Sequence, residues 1–439
     1  MTFLDQLTGT ILLCRDYLAD GVSEDEICQA FQGCQVLCVS DLRNLSSYSG
    51  QTALVTLVSL VSRMRVQVSV DIPEVSMISP QPPFSGSFLR RSLLASSERL
   101  ITGATIRASA HINAEMTFVL GDSQVNDSHS RLSRLTGTEW SGALASEGRA
   151  QAWTTRWPIG SMISAALAAG EVFKFVMRKL PVREEGKTLF EPSICSEWDF
   201  GSIPAPIQGI DLGEVDIISA GAICQSALYA LVRIPNVHMH GRIFDDDVTA
   251  PSNLNRNMLT LMTDVGLPKV KLVTERCGTN IRVEPVSARF GKSDTPSGLA
   301  QRVLVGVDDI PSRWEIQRGA RGWLVVGGTS HFSISSSSHK SEEPCCGCLH
   351  YIDDTNQVTE IPTVSFVSFW AGLSMAVRLL RDVLGNPYCT NRRHLWLTPL
   401  RMDQPYAGMW SPIPARRDCP VQCLASQSLR AVSEETTRL

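Results

Sequence analysis

In the second half of the chain, acids, amides and cations follow one another in an order that suits a polyphosphate. The segment Phe244-Asp-Asp-Asp-Val-Thr-Ala-Pro-Ser-Asn-Leu-Asn-Arg256 carries Asp245, Asp247, Asn253 and Arg256, and Gly266-Leu-Pro-Lys269 adds Lys269 thirteen residues beyond the arginine. An acid at the end of a strand is placed to accept hydrogen bonds from ribose hydroxyls, the task assigned to Asp245. One amide and two cations over so short a stretch neutralise a triphosphate, whereas a nicotinamide dinucleotide would leave Arg256 and Lys269 idle. Upstream, Ser219-Ala-Gly-Ala-Ile-Cys224 reads as a turn between a strand and a helix, where the backbone N–H groups at Gly221 and Ala222 can receive an anion. Only Gly221 stands where a dinucleotide fingerprint has three glycines, so tight packing of a small turn explains these residues equally well. Downstream, Val305-Gly-Val-Asp308-Asp309-Ile-Pro-Ser-Arg313 puts an acid at the C-terminal edge of a strand, where open α/β sheets bind ligands and where Asp308 could hold Mg2+.

Cysteines supply a second constellation. Cys345 and Cys348 form a Cys-x-x-Cys pair, and Cys419 and Cys423 form a Cys-x3-Cys pair. Two close pairs make a structural zinc pattern, tetrahedral and closed, with reduced thiols as the alternative. A thioester-forming enzyme needs a further accessible thiol of lowered pKa. Cys346 is the first candidate nucleophile and Cys389 the second; the alternative is that neither reacts. His238 and His240 alternate on a strand and so share a face, which is more often a hydrogen-bonded edge than a metal site.

These residues need elements to hold them. Val215 to Ser219 reads as a strand, Gln225 to Ile234 as a helix and Val237 to Phe244 as the next strand. The first half shows the same succession in Gln35 to Val39, Gln51 to Arg63 and Val66 to Val70. Met116 to Asp122 answers Arg302 to Asp308, and Pro158 to Leu180 aligns without gaps on Pro362 to Leu384, each read as a long helix opening with proline. The predicted fold is α/β, two tandem Rossmann-like, doubly wound, mostly parallel sheets related as a pseudo-repeat. Residues 1–190 form the first domain and 214–439 the second, with a proline-bearing linker over 191–213. The Ser335 to Ser338 run reads as a strand end entering a mobile loop, and the tail from Ser426 to Leu439 as frayed.

Composition agrees. At ~150 residues per domain, 439 residues make two large domains or about three smaller ones. A hydrophobic share of 43% with 19% charged residues is too apolar for disorder. With 40 basic and 44 acidic residues mixed along the chain, no basic stripe offers itself to nucleic acid. The apolar stretch from Ile361 to Val377 is broken by Pro362 and serines and falls short of the ~20 apolar residues of a membrane span. No secretory signal is expected at the N-terminus, and thirteen cysteines suit a reducing cytoplasm.

The spacing Asp245-x-Asp247-x4-Ser252-Asn253-Leu254-Asn255-Arg256, then Lys269, then Val-Asp308-Asp309-x3-Arg313, resembles the adenylation domain of ubiquitin-activating enzymes and of the ThiF and MoeB adenylyltransferases. The motifs cover residues 215 to 423, and the first half matches in outline only. The resemblance implies that Asp245 binds the ribose, that Asn253, Arg256 and Lys269 hold the phosphates of ATP, and that Asp308 holds magnesium. Ser219 and Cys224 depart from the glycines usual in the family. The first half keeps Asp71 and Asp122 but follows Asp71 with Ile-Pro-Glu-Val-Ser-Met, without an Asn-x-x-Arg or a following lysine, which implies an inactive domain. An arginine is often borrowed from the other half, and Arg15, Arg90 and Arg91 are available. The implied function is ATP-dependent adenylation of the C-terminal glycine of a ubiquitin-like protein, then thioester formation and transfer to a conjugating enzyme. A single chain of this kind resembles the activators of bacterial ubiquitin-like conjugation systems, some of them antiphage. Activation of a sulfur-carrier protein or peptide without conjugation, and a non-catalytic scaffold, are the alternatives. Whether two chains pair stays open, since an internal duplication can replace a dimer.

Overall fold

The structure, a computed structural model, describes residues 3–109, 113–125, 131–146, 150–206, 208–291, 298–352 and 362–437. In the first half, helix α1 (Phe3–Arg15) precedes strand β1 (Gln35–Val39), a single turn α2 (Leu42–Leu45) and the long helix α3 (Tyr48–Ser62). Strands β2 (Gln67–Asp71), β3 (Ile106–Ala108), β4 (Met116–Leu120), β5 (Arg131–Gly137) and β6 (Ser141–Ala145) follow, then helix α4 (Ile159–Met177) and strand β7 (Cys195–Asp199). The sheet order is β3-β2-β1-β4-β5-β6-β7, parallel from β3 to β5 and antiparallel at β6 and β7.

The second half runs through β8 (Ile210–Ile218), α5 (Ala222–Leu231), β9 (Val237–Phe244), α6 (Lys269–Arg276), β10 (Ile281–Val286), β11 (Arg302–Val305) and α7 (Ile310–Gly319). It continues with β12 (Trp323–Ser330), β13 (Ser333–His339), a turn α8 (Cys346–Leu349), α9 (Ser365–Val383), β14 (His394–Leu397), β15 (Gly408–Ser411) and α10 (Leu424–Thr437). Its order is β10-β9-β8-β11-β12-β13-β14-β15, parallel as far as β12 and antiparallel beyond. Numbered from its own first strand, this sheet repeats the order of the first half. Gln51 and Gln225, each fourth in its helix, make matching bonds. Each ties the turn before its helix to the loop after the next strand, through Leu45 O and Ile78 N–H in one case and Ala220 O and Leu259 N–H in the other.

Several expectations need correction. Both sheets are mixed: the five strands from β3 to β5 and the five from β10 to β12 run parallel, as expected, and the strands beyond them pair antiparallel. The stretch read as a linker contributes β7, and β8 begins at Ile210 inside it. The serine run is no mobile loop: it is β13, paired on both sides, and buried Arg378 donates to Ser336 Oγ and O and to Ser338 Oγ. The tail is helical as far as Thr437, with Ser426 buried. The last long helix starts at Ser365, three residues after its proline. His238 and His240 do share a face of β9, and it is the exposed one.

A helix that is apolar all round must be buried. Helix α3 is buried at every residue, α4 at all but Phe175, and α9 from Ser365 to Arg381. Helix α4 is also long and apolar enough to cross a membrane by length and composition, but 94% of that window is buried inside the protein. Helices α3 and α4 pack on each other, α9 packs on α5, and α9 also contacts α3 and α4, so one hydrophobic cluster runs through both halves. Thr56 and Tyr229 hydroxyls meet across the junction at 3.1 Å. Helices α5 and α9 approach closely at Gly372, where a Cβ would lie 2.3 Å from Ile223 O and 2.6 Å from Ala227 N. Both are backbone atoms and neither can turn aside. The substitution Gly372→Ala is expected to destabilise the protein by about 1–3 kcal/mol through overpacking, read as a lowered melting temperature.

Candidate functional site

A cleft of about 570 Å3 opens beyond the C-terminal ends of β8, β9, β11 and β12, where the strand order changes direction on either side of β8. Gly221, Ala222, Asp245, Asp247, Asn253, Arg256, Lys269 and Asp308, separated by up to 87 residues in sequence, all line it. The turn after β8 is built by Ser219 at φ 89°, in the left-handed region that favours glycine. Its hydroxyl accepts the Gly221 N–H at 3.0 Å, and Ala220 N–H donates to Asp245 Oδ2 at 2.7 Å.

Asp245 also accepts the Asp247 N–H at 2.9 Å. Burial pushes its carboxyl above the ordinary carboxylate range, opposed by Lys269 and by these two N–H donors. Lys269, itself buried, reaches Asp247 at 2.6 Å. Asn253 accepts the Ala250 N–H at 2.9 Å and so closes the short turn Pro251–Asn253. The Arg256 guanidinium donates to Ser252 O at 2.7 Å and to Asn255 Oδ1 at 3.0 Å. Asp308 accepts the Asp309 N–H at 3.0 Å, and Asp309 caps α7 through Ser312 N–H at 2.8 Å. Carboxylates thus stand at the β9 and β11 edges with cations between them, an arrangement able to hold a sugar, a polyphosphate and a hard cation.

Sequence reasoning left several lining residues without a task. Arg313, within the motif around Asp308, is buried and donates to Val307 O at 3.0 Å; desolvation holds its pKa below the usual arginine value. Arg289 reaches Ser312 Oγ at 2.8 Å from a loop that carries no motif. Thr8 and Gly9 enter from α1, more than 200 residues away in sequence. Arg15, Arg90 and Arg91 do not line the cleft. Arg15 pairs with Glu24 at 2.7 Å, while Arg90 and Arg91 lie against Glu74.

The matching place in the first half is filled. Helix α2 sits between β1 and α3, and its buried Asn44 donates from Nδ2 to Asp41 at 3.0 Å, Asp122 at 3.1 Å and Ser123 at 3.0 Å. Its Oδ1 accepts the Trp153 N–H at 2.9 Å, and Arg43 pairs with Asp122 at 2.7 Å. Asp122, the counterpart of Asp308, is therefore committed to the protein itself.

Cys345, Cys348, Cys419 and Cys423 present sulfurs within 4.8 Å of one another. Cys345 and Cys419 lie 3.4 Å apart and Cys348 and Cys423 3.6 Å apart. Disulfide sulfurs are ~2.05 Å apart, whereas four sulfurs each ~2.3 Å from one tetrahedral zinc lie about 3.8 Å from each other. The donor set fits a metal such as zinc.

Cys346 does not fit the nucleophile role given to it. It is fully buried beside Ile218, Val303 and Val326, its thiol donates to Arg313 O at 3.3 Å, and burial pushes its pKa up to about 12. Cys389 is exposed at the start of the turn Thr390–Arg392. Among the described residues no cysteine lines the cleft.

Residues 35–186 match the BilD N-terminal domain family. The chain is 28% identical over 143 residues to the SAMP-activating enzyme E1 of Haloferax volcanii, covering 31% of this chain and 52% of that protein. It is 26% identical over 147 residues to the uncharacterized protein y4jF of Sinorhizobium fredii, covering 33% of this chain and 28% of that one. The chain therefore spans about half, or less, of the length of these curated relatives. Among solved structures, E. coli MccB with MccA-N7isoAsn aligns over 47% of this chain and 66% of that one, at 14% identity and a TM-score of 0.39. The chain is thus similar in part to the BilD N-terminal domain and in part to an E1 enzyme.

Burial separates the two thiol candidates experimentally. Iodoacetamide on the native protein is expected to modify Cys389 and spare Cys346, read by peptide mass; equal labelling of both would contradict the buried position of Cys346.

Proposed function

We propose that the protein uses ATP to adenylate the C-terminal glycine of a ubiquitin-like protein. The observation that carries this reading is the convergence of eight dispersed residues, each with a type suited to one part of ATP, on a single cleft. Similarity to the SAMP-activating enzyme E1 of Haloferax volcanii supports it.

In this reading Asp245 accepts the ribose hydroxyls, and Asn253, Arg256 and Lys269 face the phosphates. The partner's carboxylate oxygen attacks the α-phosphorus and forms a new oxygen–phosphorus bond. The bond from that phosphorus to the β-phosphate bridging oxygen breaks, and pyrophosphate leaves with the electron pair. Arg256 and Lys269 neutralise charge that builds on the leaving group, and the buried setting of Lys269 strengthens its effect. Asp308 would be the residue to hold Mg2+, which when bound would screen the phosphate oxygens. The first half serves as the inactive partner domain, since Asn44, Asp41, Asp122 and Ser123 fill the place a nucleotide would take. The four-cysteine cluster serves as a structural zinc site that ties α8 to the segment before α10.

Transfer of the acyl group to a thiol and on to a conjugating-type enzyme, in a bacterial cytoplasmic system of the antiphage kind, completes the proposal; Cys389 is the exposed thiol for that step. The absence of a cysteine along the described cleft favours a second reading, in which the acyl adenylate passes directly to an acceptor.

The decisive experiment is ATP–pyrophosphate exchange with the full chain and candidate glycine-ended small proteins, alongside intact mass without reductant. Exchange dependent on such a partner supports adenylation, and a dithiothreitol-labile adduct adds the thioester step. Asp308→Ala, Arg256→Ala and Lys269→Ala are each expected to lower exchange by about 100-fold or more, by analogy with removing one transition-state donor; exchange unchanged in all three would refute the assignment. The purified protein is expected to hold one zinc per chain, and Cys419→Ser to lose it with a lowered melting temperature, as read by elemental analysis and thermal unfolding.

A further inference from the structure

Two buried side chains of the first half reach the segment that carries Arg256. Arg63, at the C-terminal end of α3, is fully buried and donates to three backbone carbonyls of the second half. These are Leu254 O at 2.6 Å, Met258 O at 3.2 Å and Thr260 O at 2.8 Å. Thr10 of α1 accepts from Asn255 Nδ2 at 3.0 Å, and Asn255 Oδ1 in turn accepts from the Arg256 guanidinium at 3.0 Å. Both members of the Thr10–Asn255 bond are buried. Gly9 O also accepts the Thr363 N–H at 3.0 Å, which fastens this stretch of α1 beside the cleft. Within the second half the same segment is held by Gln225, which accepts from Leu259 N–H at 3.1 Å and Thr260 Oγ1 at 3.0 Å.

The reciprocal contact is weaker. Arg233, just beyond the C-terminal end of α5, reaches back into the first half at a single carbonyl, Pro82 O at 2.6 Å, and lies over the Tyr229 ring. The two halves thus exchange buried arginines, but the one donated by the first half takes three carbonyls around the anion-binding segment.

We propose that Arg63 and Thr10 are positioning residues for nucleotide binding: the first half fixes residues 254–260 so that Arg256 is presented to the cleft in one geometry. A segment without regular structure otherwise samples many backbone states, and ordering it on each binding event weakens affinity. Three carbonyls held by one buried guanidinium, with Asn255 orienting the arginine side chain, remove that freedom beforehand. The first half thereby keeps a role in the chemistry although its own ligand place is filled. This inference rests on reading the cleft as a nucleotide site.

The test uses the full chain with Thr10→Val, Thr10→Ser, Arg63→Met and Arg233→Met. Backbone hydrogen exchange over residues 253–260 and the affinity for Mg-ATP are measured together with the KM for ATP and kcat of pyrophosphate exchange. Thr10→Val, which keeps the side-chain shape, is expected to speed exchange in 253–260 and to weaken ATP binding by about five- to tenfold, the worth of one buried hydrogen bond. KM should rise with kcat unchanged, and Thr10→Ser should restore both. Arg63→Met is expected to act more strongly, while Arg233→Met lowers the melting temperature without altering exchange in 253–260. Unchanged exchange and affinity in Thr10→Val, with wild-type ATP binding intact, overturns the inference and leaves the nucleotide reading standing. An equal effect of Arg233→Met on the segment also overturns it, because a general loss of interface stability would then suffice. Faster exchange in Thr10→Val and Arg63→Met, in a wild-type protein that binds no Mg-ATP, upholds the clamp on the segment and overturns its nucleotide role together with the nucleotide reading.

Discussion

The structure depends on one constraint: helices α3, α4, α5 and α9 carry more apolar surface than a single sheet can cover, so the two halves must bury them against each other. Helices of this character are unstable when one face meets water, and their mutual burial removes both exposed faces at once. The consequence reaches the cleft. Because α3 lies in that shared layer, Arg63 at its end is carried into the second half. Because α1 packs on the short turn Pro251–Asn253, Thr8 and Gly9 reach the cleft wall.

The electrostatics of the cleft follow from the same placement. Asp245 is sunk far enough for burial to disfavour its charge, and the turn N–H of Ala220, the N–H of Asp247 and the nearby Lys269 compensate. The cations are likewise held by the protein before any ligand arrives, Lys269 by Asp247 and Arg256 by Ser252 O and Asn255. A site arranged this way reorganises little when it meets phosphate, which is the condition under which fixed charges act most strongly. In the first half the same topological position is spent on internal hydrogen bonds, with Asn44 satisfying the acids that a ligand would otherwise meet. Two sheets of one strand order therefore differ at this position through a few polar side chains in one turn.

Much of this was legible in the sequence because it is local. Strands β1 and β9 run over the residues expected of them, since continuous or alternating apolar residues bounded by turns leave few other choices. Five of the eight cleft residues, Gly221, Ala222, Asp245, Asp247 and Asp308, were legible because they lie within four residues of a strand end, and strand ends in an open α/β sheet converge in space; Asn253 and Arg256 lie in the connection after β9 and Lys269 at the start of α6. The paired cysteines were legible from spacing alone. Other features misled for physical reasons. The serine run looked like a loop because serine has little strand preference, yet Arg378 and two histidines satisfy its hydroxyls inside the sheet. Cys346 looked reactive by its neighbours in sequence, but the turn that directs Cys345 and Cys348 toward the sulfur cluster directs Cys346 into the core.

The sequence by itself determined the alternation of strands and helices, the identity of the acids that follow the strand ends and of the cations in the connection after β9, and the four-sulfur set, because each is encoded within a few residues. Tertiary structure alone decided that the later strands return antiparallel, that Arg15, Arg90 and Arg91 stay away from the cleft and that Thr8, Arg289 and Arg313 line it. It also decided that Arg63 and Thr10 grip a segment some 190 to 245 residues further on. The reason is that side-chain chemistry is written locally, whereas which distant backbone it meets is settled only when the buried helices of both halves find their common packing.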